Sequence, residues 1–298
     1  MSSLSGKRVV IFGCGYVGTA LARVAQAEGA QVTALTRNAE RAAGLRAEGM
    51  ATVVADLAGR AWHSEIAGGQ DFLLNCVSSG GGELASYRRS YVEGMRSIIE
   101  WAETAGPVGT WVYTSSTSVY AQGGGQQVDE TAPTPWAEAS DRAKILLEAE
   151  AQLREAKGGW GRWWILRLAG IYGPGRGHLV EQVRRGEVAG AGERRLNLVH
   201  LDDIVSAIRA CFVAPVRMGN EIFNVVDDAP SPKAEVVAWL AAELGVVLPR
   251  FTGEAISVRR ALTPDRIILN AKLRGQLRWC PRHATYREGY GGGMLRGV

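Results

Sequence analysis

Val9-Val10-Ile11-Phe12-Gly13-Cys14-Gly15-Tyr16-Val17-Gly18 is the stretch on which the fold reading turns. An apolar run gives way to a glycine-punctuated turn, and helix-forming residues follow. Gly13, Gly15 and Gly18 stand at the G-x-G-x-x-G spacing. Between a strand and a helix, the first glycine allows a tight turn. The second lets a pyrophosphate approach the backbone, and the third lets helix and strand pack closely. The free N–H groups and the dipole of the helix start then favour the phosphates. The spacing alone is a weak signal. Its context, a buried strand before and an amphipathic helix over 16–28 after, supplies the rest. The stretch therefore predicts a dinucleotide site built from Gly13, Gly15, Tyr16, Val17 and Gly18.

Working outward, the first half alternates strand and helix signals. Apolar runs at 8–13, 31–37, 51–57, 71–77 and 110–116 have the near-continuous hydrophobicity of buried parallel strands. Helical patterns fall between them at 16–28, 39–48, 87–104 and 138–157, and a sixth strand follows at 162–168. Such alternation predicts an α/β fold, a Rossmann-type doubly wound parallel sheet with helices on both faces. The second half is less regular. It carries a Gly/Pro-punctuated loop at 170–177, a helix at 178–185, strands at 197–201 and 221–226, and helices opened by Asp202 or Asp203 and by Ser231 with Pro232 at the first helical position. The expected domains are a dinucleotide domain over 1–170, with 196–228 returning to it, and a smaller mixed substrate domain from 171–195 and 229–298.

Composition narrows the function classes. The chain has 298 residues, 46% hydrophobic and 21% charged, as in a globular protein. Its net charge is +4, carried mostly by arginine, and no basic block is present, so nucleic acid is not an expected partner. Cys14, Cys76, Cys211 and Cys280 form no C-x-x-C pair and read as reduced, mostly buried thiols, not as a disulfide frame or zinc site. The short polar start and the lack of a long apolar run predict a cytoplasmic protein with no membrane partner. His200 reads as a packed histidine before a helix and His178 as a solvated loop residue, so no metal is expected. The triplets Gly80–Gly82 and Gly123–Gly125 read as lids over a ligand or as plain loops.

The cofactor's identity is read at the end of the second strand. An acidic residue about 20 positions beyond the glycine turn binds the ribose hydroxyls of NAD. Here the run is Thr36-Arg37-Asn38, with no carboxylate. Arg37 is placed to face the 2′-phosphate of NADP, with Thr36 and Asn38 as added donors, while NAD remains the alternative cofactor. Asp56-Leu57 ends the third strand, where an adenine ring would be edged, and Val77-Ser78 ends the fourth, against the cofactor's middle.

An ordered series of motifs now gives a resemblance. It runs from Gly13…Gly18 through Asp56-Leu57, Tyr113-Thr114-Ser115-Ser116-Thr117-Ser118-Val119-Tyr120, Asp129-Glu130-Thr131-Ala132-Pro133 and Lys144 with Glu148. It continues through Arg167-Leu168-Ala169-Gly170-Ile171-Tyr172-Gly173-Pro174-Gly175, Val199-His200-Leu201-Asp202-Asp203 and Phe223-Asn224-Val225. The chain resembles the extended short-chain dehydrogenase/reductase group, the NAD-dependent epimerases/dehydratases, over almost its whole length. The resemblance implies a catalytic hydroxyl at Ser116 and a ribose-holding lysine at Lys144, and puts Leu168 and Ile171 beside the cofactor. The family's acid/base tyrosine stands four residues before the lysine, which here is Ser140, and an aliphatic hydroxyl does not titrate in the accessible range. The chain thus resembles an atypical branch without that tyrosine, in which the proton is expected to move through water, the Ser140 hydroxyl or a residue of the second domain. Tyr91 and Met95 stand where the family has asparagine and threonine. Leu196 stands where nucleotide-sugar enzymes often place an arginine, with Arg195 and Asn197 beside it as substitutes. The expected function is an NADP-preferring oxidoreductase or epimerase/dehydratase-like enzyme acting on a small polar or sugar-like substrate, with a homodimer implied by resemblance. A non-catalytic NADP(H)-binding sensor or scaffold is the alternative.

Overall fold

The computed structural model describes residues 4–79, 82–253, 264–291 and 295. Gly80 and Gly81, two of the three glycines of the first expected lid, lie outside the described residues. The chain divides into two compact units.

The first unit comprises Met1–Val119, Pro135–Arg167 and Val205–Phe223. Its centre is a seven-stranded sheet of β1 (Arg8–Phe12), β2 (Gln31–Thr36), β3 (Ala51–Val54), β4 (Phe72–Asn75), β5 (Val108–Ser116), β7 (Trp160–Leu168) and β12 (Glu221–Val225). The spatial order is β12-β7-β5-β4-β1-β2-β3. The pairs from β3 through β2, β1 and β4 to β5 are parallel. The order reverses at β1, as in a Rossmann-type doubly wound fold, and the site follows from that reversal. Helices α1 (Tyr16–Ala27), α2 (Ala39–Ala47), α3 (Leu84–Arg88), α4 (Gly94–Ala105) and α5 (Asp141–Glu155) complete the unit's main framework.

The strands are apolar because both faces are covered. Val9 through Phe12 have no exposed surface. Phe12, Trp62 and Trp101 meet on one side of the sheet, with Phe12 and Trp62 centroids 4.8 Å apart. Helix α4 turns Met95, Ile98 and Trp101 into this core. One buried ion pair crosses the other layer contact: Arg167 at the end of β7 donates to both oxygens of Glu150 on α5, and Ser115 of β5 donates to the same carboxylate at 2.6 Å.

The single helix expected over 87–104 is instead three pieces. A π-helical turn, Arg89–Glu93, joins α3 to α4. The wider turn keeps Ser90 and Val92 buried while Gly94 passes close to Leu57. A Cβ on Gly94 would stand 3.1 Å from Leu57 Cδ2.

The second unit comprises Tyr120–Thr134, Leu168–Ile204 and Asn224–Val298. It is built from short strand pairs: β6 (Gln126–Val128) with β15 (Arg266–Ile268), β8 (Gly170–Tyr172) with β11 (Leu198–His200), β9 (Glu187–Val188) with β14 (Arg250–Phe251), and β10 (Arg195–Leu196) with β13 (Ser231–Pro232). Helices α6 (His178–Arg184) and α8 (Lys233–Leu244) pack Val180, Val183, Val236, Val237 and Leu240 with Tyr286 and Tyr290 into a separate core. The chain enters this unit earlier than the expected break at 170. The segment 120–134 belongs to it because β6 pairs with β15 and Arg266 donates to the carbonyls of Tyr120 and Gln122.

Two expected helix caps differ. Ser231 does not cap α8, because β13 pairs it with Leu196 and its hydroxyl bonds the Ala229 carbonyl. At α7 (Leu201–Val213) the acceptor is His200 Nδ1, which takes the Asp202 N–H at 3.2 Å. Asp203 is turned away and accepts from the backbone N–H groups of Arg282 and His283.

Candidate functional site

A cleft of about 410 Å³ lies at the carboxyl ends of β1, β2, β3 and β4. Gly13, Gly15 and Tyr16 form its floor, Thr36, Arg37 and Asn38 close the β2 side, and Asp56, Leu57, Val77 and Ser78 form the opposite wall. These are ten of the residues singled out from the sequence. Val17 and Gly18 are buried instead of lining the cleft. They sit in the first turn of α1, whose backbone N–H groups have no intrahelical acceptor. No acidic side chain stands in that turn to compete with an anion.

The three glycines have three separate physical causes. Gly13 has φ +83°, and a Cβ there would lie 2.4 Å from Val77 Cα and 2.6 Å from Val77 N. Gly18 leaves only 2.9 Å to Cys76 Sγ, the close approach of α1 to β4. Gly15 is different. A Cβ there would meet Gly13 O at 3.7 Å and the Arg41 guanidinium at 3.9 Å, both ordinary contacts. Protein packing does not demand glycine at 15. A group approaching the backbone through the cleft does, and the donor set fits a pyrophosphate.

The β2 side is cationic. Asn38 caps α2 by accepting the Arg41 N–H at 2.7 Å, which turns Arg41 back toward the cleft beside Arg37. Asp56 is the nearby carboxylate. Burial pushes its carboxyl up, but the Arg89 guanidinium at 2.9 Å and the Ala58 amide outweigh that and hold it below its ordinary value. Arg41 and Ser90, which also lines the cleft, escaped the sequence reading. Arg41 lies one helical turn beyond Arg37, and only the cap geometry brings the two together. Ser90 faces the cleft through the π-turn, which has no sequence signature.

The expected catalytic hydroxyls and lysine occupy the ends of β5 and α5. Ser116 is half-buried, and its hydroxyl oxygen accepts the Ser118 N–H at 3.2 Å, so its own proton is available to a ligand. Lys144 is half-buried on the first turns of α5. Glu148, one turn on, does not pair with it: both its oxygens go to Arg88, at 2.7 and 2.6 Å. Ser140 is the N-cap of α5, and its hydroxyl accepts the Ala143 N–H at 3.3 Å. The position where the resemblance expects a tyrosine thus has a structural task. The tyrosines on β5 and just beyond it are enclosed. Tyr113 is fully buried, which pushes its phenol far up, and buried Tyr120 donates to Asn224 Oδ1 at 2.8 Å.

In the second unit, Leu168 is the last residue of β7 and Ile171 lies within β8. The two expected substitutes for a phosphate-binding arginine are engaged. Arg195 makes a two-point contact with Asp265, by its amide at 2.8 Å and its guanidinium at 2.9 Å. Asn197 bonds Arg266 O and the Ile268 N–H. The four cysteines are free thiols, three of them buried. Among the described residues no helix is long and apolar enough to cross a membrane.

The sequence profile of the NAD dependent epimerase/dehydratase family matches residues 9–225. The chain belongs to that family. Protein YeeZ of Escherichia coli is 30% identical over 257 residues, 82% of this chain and 86% of its own. A 3-diazoavenalumate denitrifying reductase of Streptomyces sp is 29% identical and covers 95% of this chain and 99% of its own. The structure of MoeE5 in complex with UDP-glucose and NAD superposes with a TM-score of 0.79 at 22% identity, covering 96% of this chain and 97% of that one. The family and its reductase and epimerase members make this chain an NAD(P)-dependent enzyme in the broad sense. The glycine cradle fits such a cofactor.

Proposed function

We propose that the chain is an NADP(H)-preferring oxidoreductase or epimerase/dehydratase-like enzyme that acts on a small polar or sugar-like substrate. The observation that carries the preference is the pair Arg37 and Arg41 on one side of the cleft, where an NAD enzyme carries a carboxylate. Two guanidiniums suit a 2′-phosphate dianion, and fork-like donors bind phosphate oxygens with charge-assisted hydrogen bonds. The reductase relative that spans nearly the whole chain favours a reductive direction. Engagement of Arg195 and Asn197 within the second unit argues against a nucleotide-sugar diphosphate as the substrate.

A bound nicotinamide cofactor supplies or accepts a hydride. The chain's own residues do the rest. The α1 N-terminus and the Gly15 backbone hold the pyrophosphate. Lys144 holds the nicotinamide ribose. Ser116 donates its hydroxyl proton to orient a substrate oxygen. The proton moves through water, the Ser140 hydroxyl or a residue of the second unit; Ser140 Oγ accepts a backbone N–H as Ser116 Oγ does and likewise keeps its own proton. The smaller unit is the substrate domain, and the enzyme works as a cytoplasmic homodimer.

Fluorescence titration tests the cofactor reading. Arg37→Ala and Arg41→Ala are each expected to weaken NADPH about 10-fold or more, a loss of about 1.4 kcal/mol per tenfold, and to leave NADH within about threefold. Equal weakening of both cofactors would remove the 2′-phosphate assignment. The enzyme reading itself is tested by NADPH oxidation against a panel of ketones, aldehydes and sugar derivatives.

The cap at Ser140 also favours a second reading, a dinucleotide-binding sensor or scaffold without turnover. Ser140→Tyr separates the two. Activity that appears only in this variant would identify a retired enzyme, and activity already present in the wild type would exclude the sensor. The variant also loses its cap, at about 0.5–2 kcal/mol, so its folding is checked by circular dichroism.

A further inference from the structure

The second unit holds a cluster that the proposed chemistry does not use. His200, Asp202 and His283 each offer a ligand atom, and the three atoms lie within 4.8 Å of one another. His200 ends β11, Asp202 lies in the first turn of α7, and His283 arrives from the turn before the last described helix, Tyr286–Gly291. The two imidazole rings lie 3.9 Å apart between centroids.

Hydrogen bonds fix which nitrogen of each ring carries a lone pair. His200 Nδ1 accepts the Asp202 N–H at 3.2 Å, so it is the unprotonated nitrogen. His283 Nδ1 stands 3.1 Å from Asp203 Oδ2. Both Asp203 oxygens already accept a backbone N–H, from Arg282 and His283, and the side chain is only 1% exposed. His283 therefore donates from Nδ1, and its Nε2 is left as an acceptor. A carboxylate behind a histidine Nδ1–H is the arrangement that orients a metal-binding imidazole and raises its basicity. The third group, the Asp202 carboxylate, is 55% exposed and lies 3.6 Å from His200 Nδ1. It supplies the negative charge and is free to swing inward.

We propose that His200 Nδ1, His283 Nε2 and Asp202 form a divalent transition-metal site, with zinc as the best-fitting ion. Two imidazoles and one carboxylate select a borderline cation over magnesium or calcium, which take oxygen ligands. Three protein ligands leave one tetrahedral position for water. The long Asp202 N–H bond to Nδ1 is the one contact the ion displaces, and that amide lies at an accessible helix end. Bound there, the ion clamps the 281–283 turn to the start of α7. The site is independent of the dinucleotide reading.

The test uses the full chain after chelator treatment. Cobalt(II) is titrated by its visible absorption, and zinc by calorimetry and by the shift in thermal midpoint. The wild type is expected to bind one equivalent, with ligand-field bands of a four- or five-coordinate ion and a raised midpoint. His283→Gln is expected to weaken zinc at least 100-fold and Asp202→Asn roughly 10-fold, with NADPH affinity unchanged in both. His178→Gln, at the exposed start of α6 and not on the loop expected from the sequence, serves as the control and leaves zinc affinity as in the wild type. The proposal falls if no equivalent binds. It also falls if His283→Gln and Asp202→Asn bind zinc as the wild type does, or if His178→Gln alone abolishes binding. Circular dichroism and the unchanged NADPH affinity show that each variant is folded.

Discussion

Gly13→Ala is expected to destabilise the protein by about 3 kcal/mol or more, whereas Gly15→Ala is expected to fold normally and lose the dinucleotide. The two residues lie two apart in one motif, and their surroundings differ sharply. At Gly13 the backbone has φ +83°, and the new methyl would stand 2.4 Å from Val77 Cα. Strain at such a backbone position and overpacking against the backbone just beyond β4 each cost about 1–3 kcal/mol. At Gly15 the new methyl would touch only Gly13 O at 3.7 Å and the flexible end of Arg41 at 3.9 Å. Stability is expected to stay within about 1 kcal/mol of the wild type. The methyl instead occupies the path of a pyrophosphate, and NADPH affinity is expected to fall roughly 10- to 100-fold. Urea unfolding and fluorescence titration, run on both variants, separate the two effects. Retained NADPH affinity in Gly15→Ala would show that the cleft binds no pyrophosphate at this turn.

This pair also explains how much of the molecule was legible in the sequence. The glycine spacing, the alternation of apolar runs and helices, and Arg37 at the end of β2 are local signals, and each corresponds to a feature of the cleft. Local signals fail where a distant or irregular contact decides the outcome. The π-turn at Arg89–Glu93 follows the same helical residues that would form an α-helix, and packing of Gly94 on Leu57 accompanies it. Ser231 has the sequence of a helix cap, but the strand 195–196 takes its backbone. Asp202 and Asp203 read as equivalent caps. The structure gives the cap to His200 and sends Asp203 to a turn 80 residues away. His283 has no motif around it, so its meeting with His200 is visible only in three dimensions.

Glu150→Ala is expected to cost about 3–5 kcal/mol, the effect of leaving one charge of a buried pair without its partner. Glu150 and Arg167 are 1% and 4% exposed at their side chains, and Arg167 donates to both carboxylate oxygens, at 3.1 and 2.7 Å. The same carboxylate takes the Ser115 hydroxyl proton at 2.6 Å. One side chain of α5 therefore holds β5 and β7 in register. Its removal takes both carboxylate contacts from the Arg167 guanidinium and the acceptor from the Ser115 hydroxyl. The pair as a whole is worth far less than the cost of breaking it, since both charges gave up water to meet. Glu150→Leu with Arg167→Met is accordingly expected to recover most of the loss, to within about 1–2 kcal/mol of the wild type. The location gives the pair a second consequence. Ser115 precedes Ser116 at the end of β5, and Lys144 lies six residues before Glu150 on the same helix. The carboxylate is thus expected to influence how Lys144 on α5 stands to the hydroxyl at the end of β5. The double variant is expected to regain stability in urea unfolding while NADPH-dependent turnover stays depressed about 10-fold, because the apolar pair packs without fixing the register. Full recovery of turnover along with stability would show that the ion pair holds the fold and does not position Lys144 or Ser116.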